Sequence, residues 1–308
     1  MQKLRPYVLP LAILLGLLFH SWCHTCAFLV PYIIFTILLL TFSAVDLRSL
    51  RLNRLDIWLM LFQVLVSSGC YAAAKVLTGN NIIAEGVLMG VLCPVASSVA
   101  VISCLLGANR ETVTTYTIAG NLLVAIVAPV AFTIVGEHPE LSFLQSLLMM
   151  FGKIGATLAL PFFLALAMQL WWSKASAAVA RCNIAGFYLW AVALLLTLGQ
   201  TIDFIFLRGQ GNWGSIAWLA VLAAVFCFLQ FFIGRRLGLR YARRIGADAD
   251  AANACRIGAG QLLGQKNTGF GIWMANTFLN PLSSVFLAFY SVYQNLFNAW
   301  QMARNNNG

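Results

Sequence analysis

The sequence predicts an all-α polytopic membrane protein: ten transmembrane helices arranged as two inverted five-helix repeats, with the fourth and ninth helices broken. Three observations point there. Hydrophobic residues make up 61% of the 308 positions and charged residues 9%, against about 25% charged in an ordinary soluble domain. Hydrophobic runs near the roughly 20 residues that a spanning helix needs recur along the whole chain. Finally, Lys and Arg concentrate in alternate connections between these runs, as the positive-inside rule requires when both termini lie in the cytoplasm.

Each span follows in order. The first reads as Tyr7–Phe19 extended at its ends and stays in the membrane, because no small-residue cleavage site follows it. The second, Ala27–Val45, leads to the basic loop Asp46–Arg54. Span three is 57–76 and carries Gln63; span four is 83–106, interrupted at Cys93-Pro94. Pro94 lacks an amide donor and clashes with the preceding turn, so it breaks the helix. Span five, 113–135, leads to the acidic loop Gly136–Glu140 on the opposite side. Span six is 144–172, followed by Lys174 and Arg181. Span seven is 184–206, and span eight, 215–233, precedes a connection holding Arg235, Arg236, Arg240, Arg243 and Arg244. Span nine, 257–278, and span ten, 281–302, complete the set.

An odd number of spans reverses orientation, so residues 1–140 and 141–308 form inverted repeats. The breaks then fall in the fourth span of each half, where half-helix ends meet near the midplane. The second break lies in Arg256-Ile-Gly-Ala-Gly-Gln261-Leu-Leu-Gly-Gln265-Lys266-Asn267. Three amides and an ammonium at membrane depth are costly and mark a substrate or ion pathway. Gly258, Gly260 and Gly264 follow no strand, so they are not a dinucleotide loop; Gly260-x3-Gly264 suits close helix packing. Ser97 and Ser98, after Pro94, either help bind an anion or cap the second half-helix.

The net charge of +10 does not point to nucleic acid, since the basic residues form no face interleaved with stacking aromatics; the partner surface is the lipid bilayer. Most of the eight cysteines sit inside spans as small apolar groups. The loop His20-Ser-Trp-Cys23-His24-Thr-Cys26 has metal-ligand residue types, but one short loop makes a poor cage without a second ligand pair. Asp203 and Glu85 read as interfacial, at the outer ends of spans seven and four. Trp171, Trp172 and Trp213 read as an interfacial belt. No paired carboxylates or nucleophile–base set lies at membrane depth, so the chain reads as a non-enzyme with no cofactor.

The stretch Gly86–Pro94 with its small residues, the Arg256-x4-Gln261-x3-Gln265 spacing, and Asn280-Pro281-Leu-Ser-Ser with Phe289-Tyr-Ser291-Val-Tyr-Gln294-Asn295 together resemble the bile acid:sodium symporter family. The resemblance implies a core domain of spans three to five and eight to ten, and a panel domain of spans one, two, six and seven. A small organic anion would cross between them by alternating access, at the plasma (inner) membrane. Of the family's first sodium site, the matching positions hold Val99, Ala100, Val113, Thr117 and Gln261, so most oxygen ligands are lost. Of the second, Gln63, Gln261 and Gln265 match, with carbonyls of Leu262 and Gly264, but the carboxylate is gone.

Where the family has asparagine stands Lys266. Its ammonium would take the place of sodium, receive the anion with help from a half-helix N-terminus, or snorkel to an interface. Gln294 and Asn295 match a polar pair that faces substrate. Coupling to sodium, to protons through Lys266, or to no ion all remain open. A membrane sensor docking through Arg235–Arg244 is the rival from another class.

Overall fold

The computed structural model describes residues 5–47, 50–96, 98–136, 142–182 and 185–306. Its elements are α1 (Arg5–Leu18), α2 (His20–Cys26), α3 (Val30–Ser43), α4 (Arg54–Thr78), α5 (Asn81–Leu92), α6 (Val99–Leu105), α7 (Arg110–Val135), α8 (Phe143–Met150), α9 (Ala156–Trp171), α10 (Ser173–Arg181), α11 (Ala185–Arg208), α12 (Trp213–Arg244), α13 (Ala249–Gly264), α14 (Thr268–Phe278) and α15 (Ser284–Asn306). No β-strand occurs among the described residues; the only pairing outside helices is one isolated bridge. Among the described residues six helical segments are long and apolar enough to cross a membrane: His20–Ser43, Arg54–Thr78, Arg110–Val135, Phe143–Trp171, Tyr188–Arg208 and Trp213–Arg244. The remaining spans expected from sequence are short (α1), split (α5 with α6, α13 with α14) or more polar (α15).

Local chemistry sets the helix boundaries. Asn53 and Asp56 form a reciprocal capping box at the start of α4, which satisfies two of the orphan donors of a helix start. Gly79 ends α4 with φ 63°, a left-handed conformation that glycine adopts without steric cost. Asn80, Asn109, Ser142, Asp248 and Asn267 each accept a first-turn amide at the start of α5, α7, α8, α13 and α14. A π-helical turn, Phe151–Gly155, joins α8 to α9.

Two departures from the sequence reading follow from backbone chemistry. His20–Cys26 is not a loop; it is α2, continued by a 3-10 turn into α3. The arginine-rich stretch after Ile233 is not a connection either, since α12 runs on through Arg244. Hydropathy falls off at Ile233 but helix propensity does not, because arginine is a strong helix former.

Helices α4 to α7 and α12 to α15 pack chiefly on one another, with α12 on α13, α4 on α5, α12 on α15, α6 on α7 and α14 on α15. The rest form a second group in which α1 lies on α11, α3 on α9 and α3 on α11. The groups meet where α11 and α3 touch α14 and where α7 touches α8 and α9. Helices α12 and α13 approach closely, backbone to backbone. A Cβ on Gly234 would overlap the Ala259 carbonyl, and one on Gly238 the Cys255 carbonyl. Gly260 and Gly264 also serve this contact, against Arg235 and Phe231.

Candidate functional site: the crossing of two broken helices

Two helices stop inside the protein and restart. Helix α5 gives way at Cys93-Pro94-Val95-Ala96 before α6, and α13 at Gln265-Lys266-Asn267 before α14. Twelve residues of α5 span about 18 Å, a little over half of a bilayer core of about 30 Å. The extended breaks pair antiparallel, Val95 with Lys266. The Ala96 amide donates to the Gln265 carbonyl at 3.2 Å and the Asn267 amide to the Pro94 carbonyl at 2.8 Å. Each break thereby satisfies backbone groups that helix rupture has orphaned.

The C-terminal end of α5 needs more donors, because the last carbonyls of a helix have no partner within it. Side chains from three other elements supply them. Gln230 of α12 donates its Nε2 to the Gly90 carbonyl at 3.0 Å. Lys266 donates its Nζ to the Val91 carbonyl at 2.8 Å. Gln63 of α4 donates its Nε2 to the carbonyls of Leu92 and Cys93, at 2.8 and 3.0 Å. The Gln63 Oε1 accepts from the Tyr116 hydroxyl at 3.2 Å. Tyr290 of α15 donates to the Gly264 carbonyl at the end of α13, 2.8 Å away.

Lys266 is held at its backbone as well. Gln294 of α15 accepts the Lys266 amide through Oε1 at 2.8 Å and donates Nε2 to the Lys266 carbonyl at 3.1 Å. Lys266 is 1% exposed.

Beside the breaks lies a small polar cavity of about 20 Å³, room for about one water molecule. Ser98, Gln265, Lys266, Gln294 and Asn295 line it, joined by Asn267, Thr268, Ala96 and Trp190 of α11. Five expected site residues therefore converge, at a place where the two helix groups meet. Gln265 donates Nε2 to Ser98 Oγ at 3.0 Å, while its buried Oε1 has no partner among the described residues. Ser98 makes no capping bond at the start of α6. Asn295 donates to the Ser291 carbonyl of its own helix. Ser97 lies outside the described residues.

The other expected ion ligands sit elsewhere. Thr117 donates to the Val113 carbonyl one turn back at 2.7 Å. Gln261 donates Nε2 to Asn298 Oδ1 at 3.1 Å and, less closely, to Gln301 Oε1 at 3.4 Å. Arg235 hydrogen-bonds the same Gln301 oxygen. Val99 and Val113 are buried and supply no side-chain oxygen.

No family model matches the chain, and no curated protein matches it. What it resembles is carried by the motifs alone.

Sequence reasoning missed Gln230, Tyr290, Trp190 and the Arg235–Asn298–Gln301 cluster. Gln230 carried a legible signal, a lone amide within the apolar run Phe226–Ile233. Trp190 carried none, being one aromatic among many. Glu85 and Asp203 are buried, at 2% and 6% exposure. Glu85 accepts the Asn280 amide at 2.8 Å. Asp203 faces α2, with Oδ1 2.6 Å from His20 Nδ1 and Oδ2 2.8 Å from His24 Nδ1, the second contact lacking hydrogen-bond alignment. Among the described residues no group of three His, Cys, Asp or Glu is placed to hold a metal ion, and all eight cysteines are free.

Proposed function

We propose that the chain is a secondary transporter of the bile acid:sodium symporter type, carrying a small organic anion through the crossing of its two broken helices by alternating access. The observation that carries this reading is the pairing of the two breaks beside a polar cavity that both helix groups line. Broken helices that meet near mid-depth are the usual seat of substrate in transporters built from inverted repeats.

The ten-span inverted repeat is supported by how the helices pair. A shift of five spans turns the contact of α1 with α11 into that of α9 with α3, α4 with α5 into α12 with α13, and α6 with α7 into α14 with α15. Core and panel domains correspond to the two helix groups, the loop charges support cytoplasmic termini, and the plasma (inner) membrane belongs to the same reading. An anion suits the cavity because amide and hydroxyl residues line it and, among the described residues, no carboxylate does.

Sodium is not the coupling ion in this reading. Both ends of the Gln63 amide are committed. Glutamine at position 261 removes a full negative charge, a larger loss in a low-dielectric site than any single neutral hydrogen bond.

The test is thermal unfolding of the purified protein with a set of small carboxylates and sulfonates, then exchange of whichever binds in liposomes with sodium or choline outside. A ligand at 100 times its Kd stabilises by about 2.7 kcal/mol. The expected result is a saturable rise, abolished in Gln265→Leu, and exchange at equal rates in both salts. A rise unchanged by Gln265→Leu would place binding elsewhere; no rise across the set would contradict the carrier reading.

A further inference from the structure

We propose that the Lys266 ammonium is a tethered cation: it fills, from within the chain, a monovalent-cation site made by the C-terminal end of α5. A helix C-terminus carries a partial negative charge, and clustered backbone carbonyls are what proteins use to replace the water shell of a monovalent cation. Four such carbonyls, Gly90, Val91, Leu92 and Cys93, end α5 at mid-protein. Three of them are met by neutral amides of Gln63 and Gln230. The fourth is met by a full positive charge, the 1% exposed Lys266 Nζ.

No ion pair offsets that charge among the described residues; the ion pairs found there involve only His20, His24 and Asp203. Its support among the described residues comes from the carbonyl end of α5. Among the described residues the Nζ donates to the Val91 carbonyl.

The placement is enforced from both sides. The side chain reaches α5 only because the Lys266 backbone is in the extended break, paired with Val95 and clamped at amide and carbonyl by Gln294. One residue thus links the end of one broken helix to the middle of the other. A dissociable ion at this position would have to be released or rebound in each cycle. A tethered one is always present, so the crossing is held together without any ion from solution. That consequence for coupling rests on the carrier reading; the site itself does not.

Thermal unfolding of the purified protein tests it without substrate or transport. Wild type, Lys266→Ala, Lys266→Met and Lys266→Arg are compared in choline, sodium, potassium and methylammonium chloride at equal ionic strength. Wild type should show the same midpoint in all four salts. Lys266→Ala should unfold several degrees lower in choline, with methylammonium restoring most of the loss saturably. Lys266→Met should be destabilised and not rescued, its side chain filling the space, and Lys266→Arg should keep more of the midpoint than Lys266→Met.

A saturable rise of wild type with sodium or potassium would overturn the proposal, because the site would then still take a free ion. So would a Lys266→Ala protein indifferent to methylammonium, or a Lys266→Met protein as stable as wild type. If Lys266→Ala does not fold, the order of Lys266→Arg and Lys266→Met decides, with methionine at or above arginine as the contrary result. Failure of anion binding leaves every one of these readings intact.

Discussion

Gln294 and Asn295 are adjacent and both line the cavity, yet their side chains differ in what depends on them. Gln294 is the partner of two buried backbone groups of Lys266, in the break between α13 and α14. Among the described residues Asn295 bonds within its own helix, to the Ser291 carbonyl. A buried backbone donor or acceptor left without a partner costs about 1–3 kcal/mol. Gln294→Leu should therefore destabilise the protein by about 2–6 kcal/mol if both groups stay dry and lower the unfolding midpoint clearly, while Asn295→Leu should change it little. Calorimetry of the two variants in detergent checks this, and equal losses would mean that the clamp on Lys266 contributes nothing. At this scale the sequence was partly legible. Amides and an ammonium at membrane depth announced themselves, because such groups are too costly to occur idly there. Their partners did not: the Val91 carbonyl lies 175 positions from Lys266, and which carbonyl faces the ammonium depends on how two breaks cross.

Among the elements, the pair α12 and α13 packs so closely that backbone carbonyls of one helix face bare Cα atoms of the other, at Gly234 and Gly238. Since backbone cannot yield as a side chain does, an added methyl must push the helices apart. Gly238→Ala should destabilise by about 1–3 kcal/mol and move the Gln261 and Gln265 side chains carried by the end of α13. Gly69→Ala in α4, where nothing lies within 4 Å of the new methyl, should instead be neutral or gain up to about 1 kcal/mol from helix propensity. Unfolding midpoints of both variants compare them directly. The breaks themselves were legible, since proline and the glycine-rich run act on their own backbone. The start of α2 and the length of α12 were not. Polar His and Cys residues, and a run of arginines, look like loop to a hydropathy reading, although their backbone propensities allow helix. For Glu85 and Asp203, read as interfacial near span ends, the partners were not legible: the Asn280 amide and the histidines of α2 lie far off in sequence.

For the whole molecule, the all-helical class and the membrane-length apolar helices followed from composition. The division into two helix groups depended on knowing which spans pair, and that information is spread over long-range contacts that no local pattern encodes. The cavity sits where those groups meet, with Trp190 of one facing Gln294 and Asn295 of the other. In the carrier reading, relative movement of the groups opens it first to one side of the membrane and then to the other. Such motions run on microsecond to second scales, fast against chemical labelling.

The most direct measurement is the reactivity of Asn295→Cys toward a membrane-impermeant thiol reagent, in sealed vesicles of each orientation. Peptide mass spectrometry reads the label at position 295, so the eight native cysteines do not interfere. The carrier reading predicts labelling from both sides of the membrane, with neither side excluded. Labelling from one side only, or from neither, would contradict alternating access at the crossed helices.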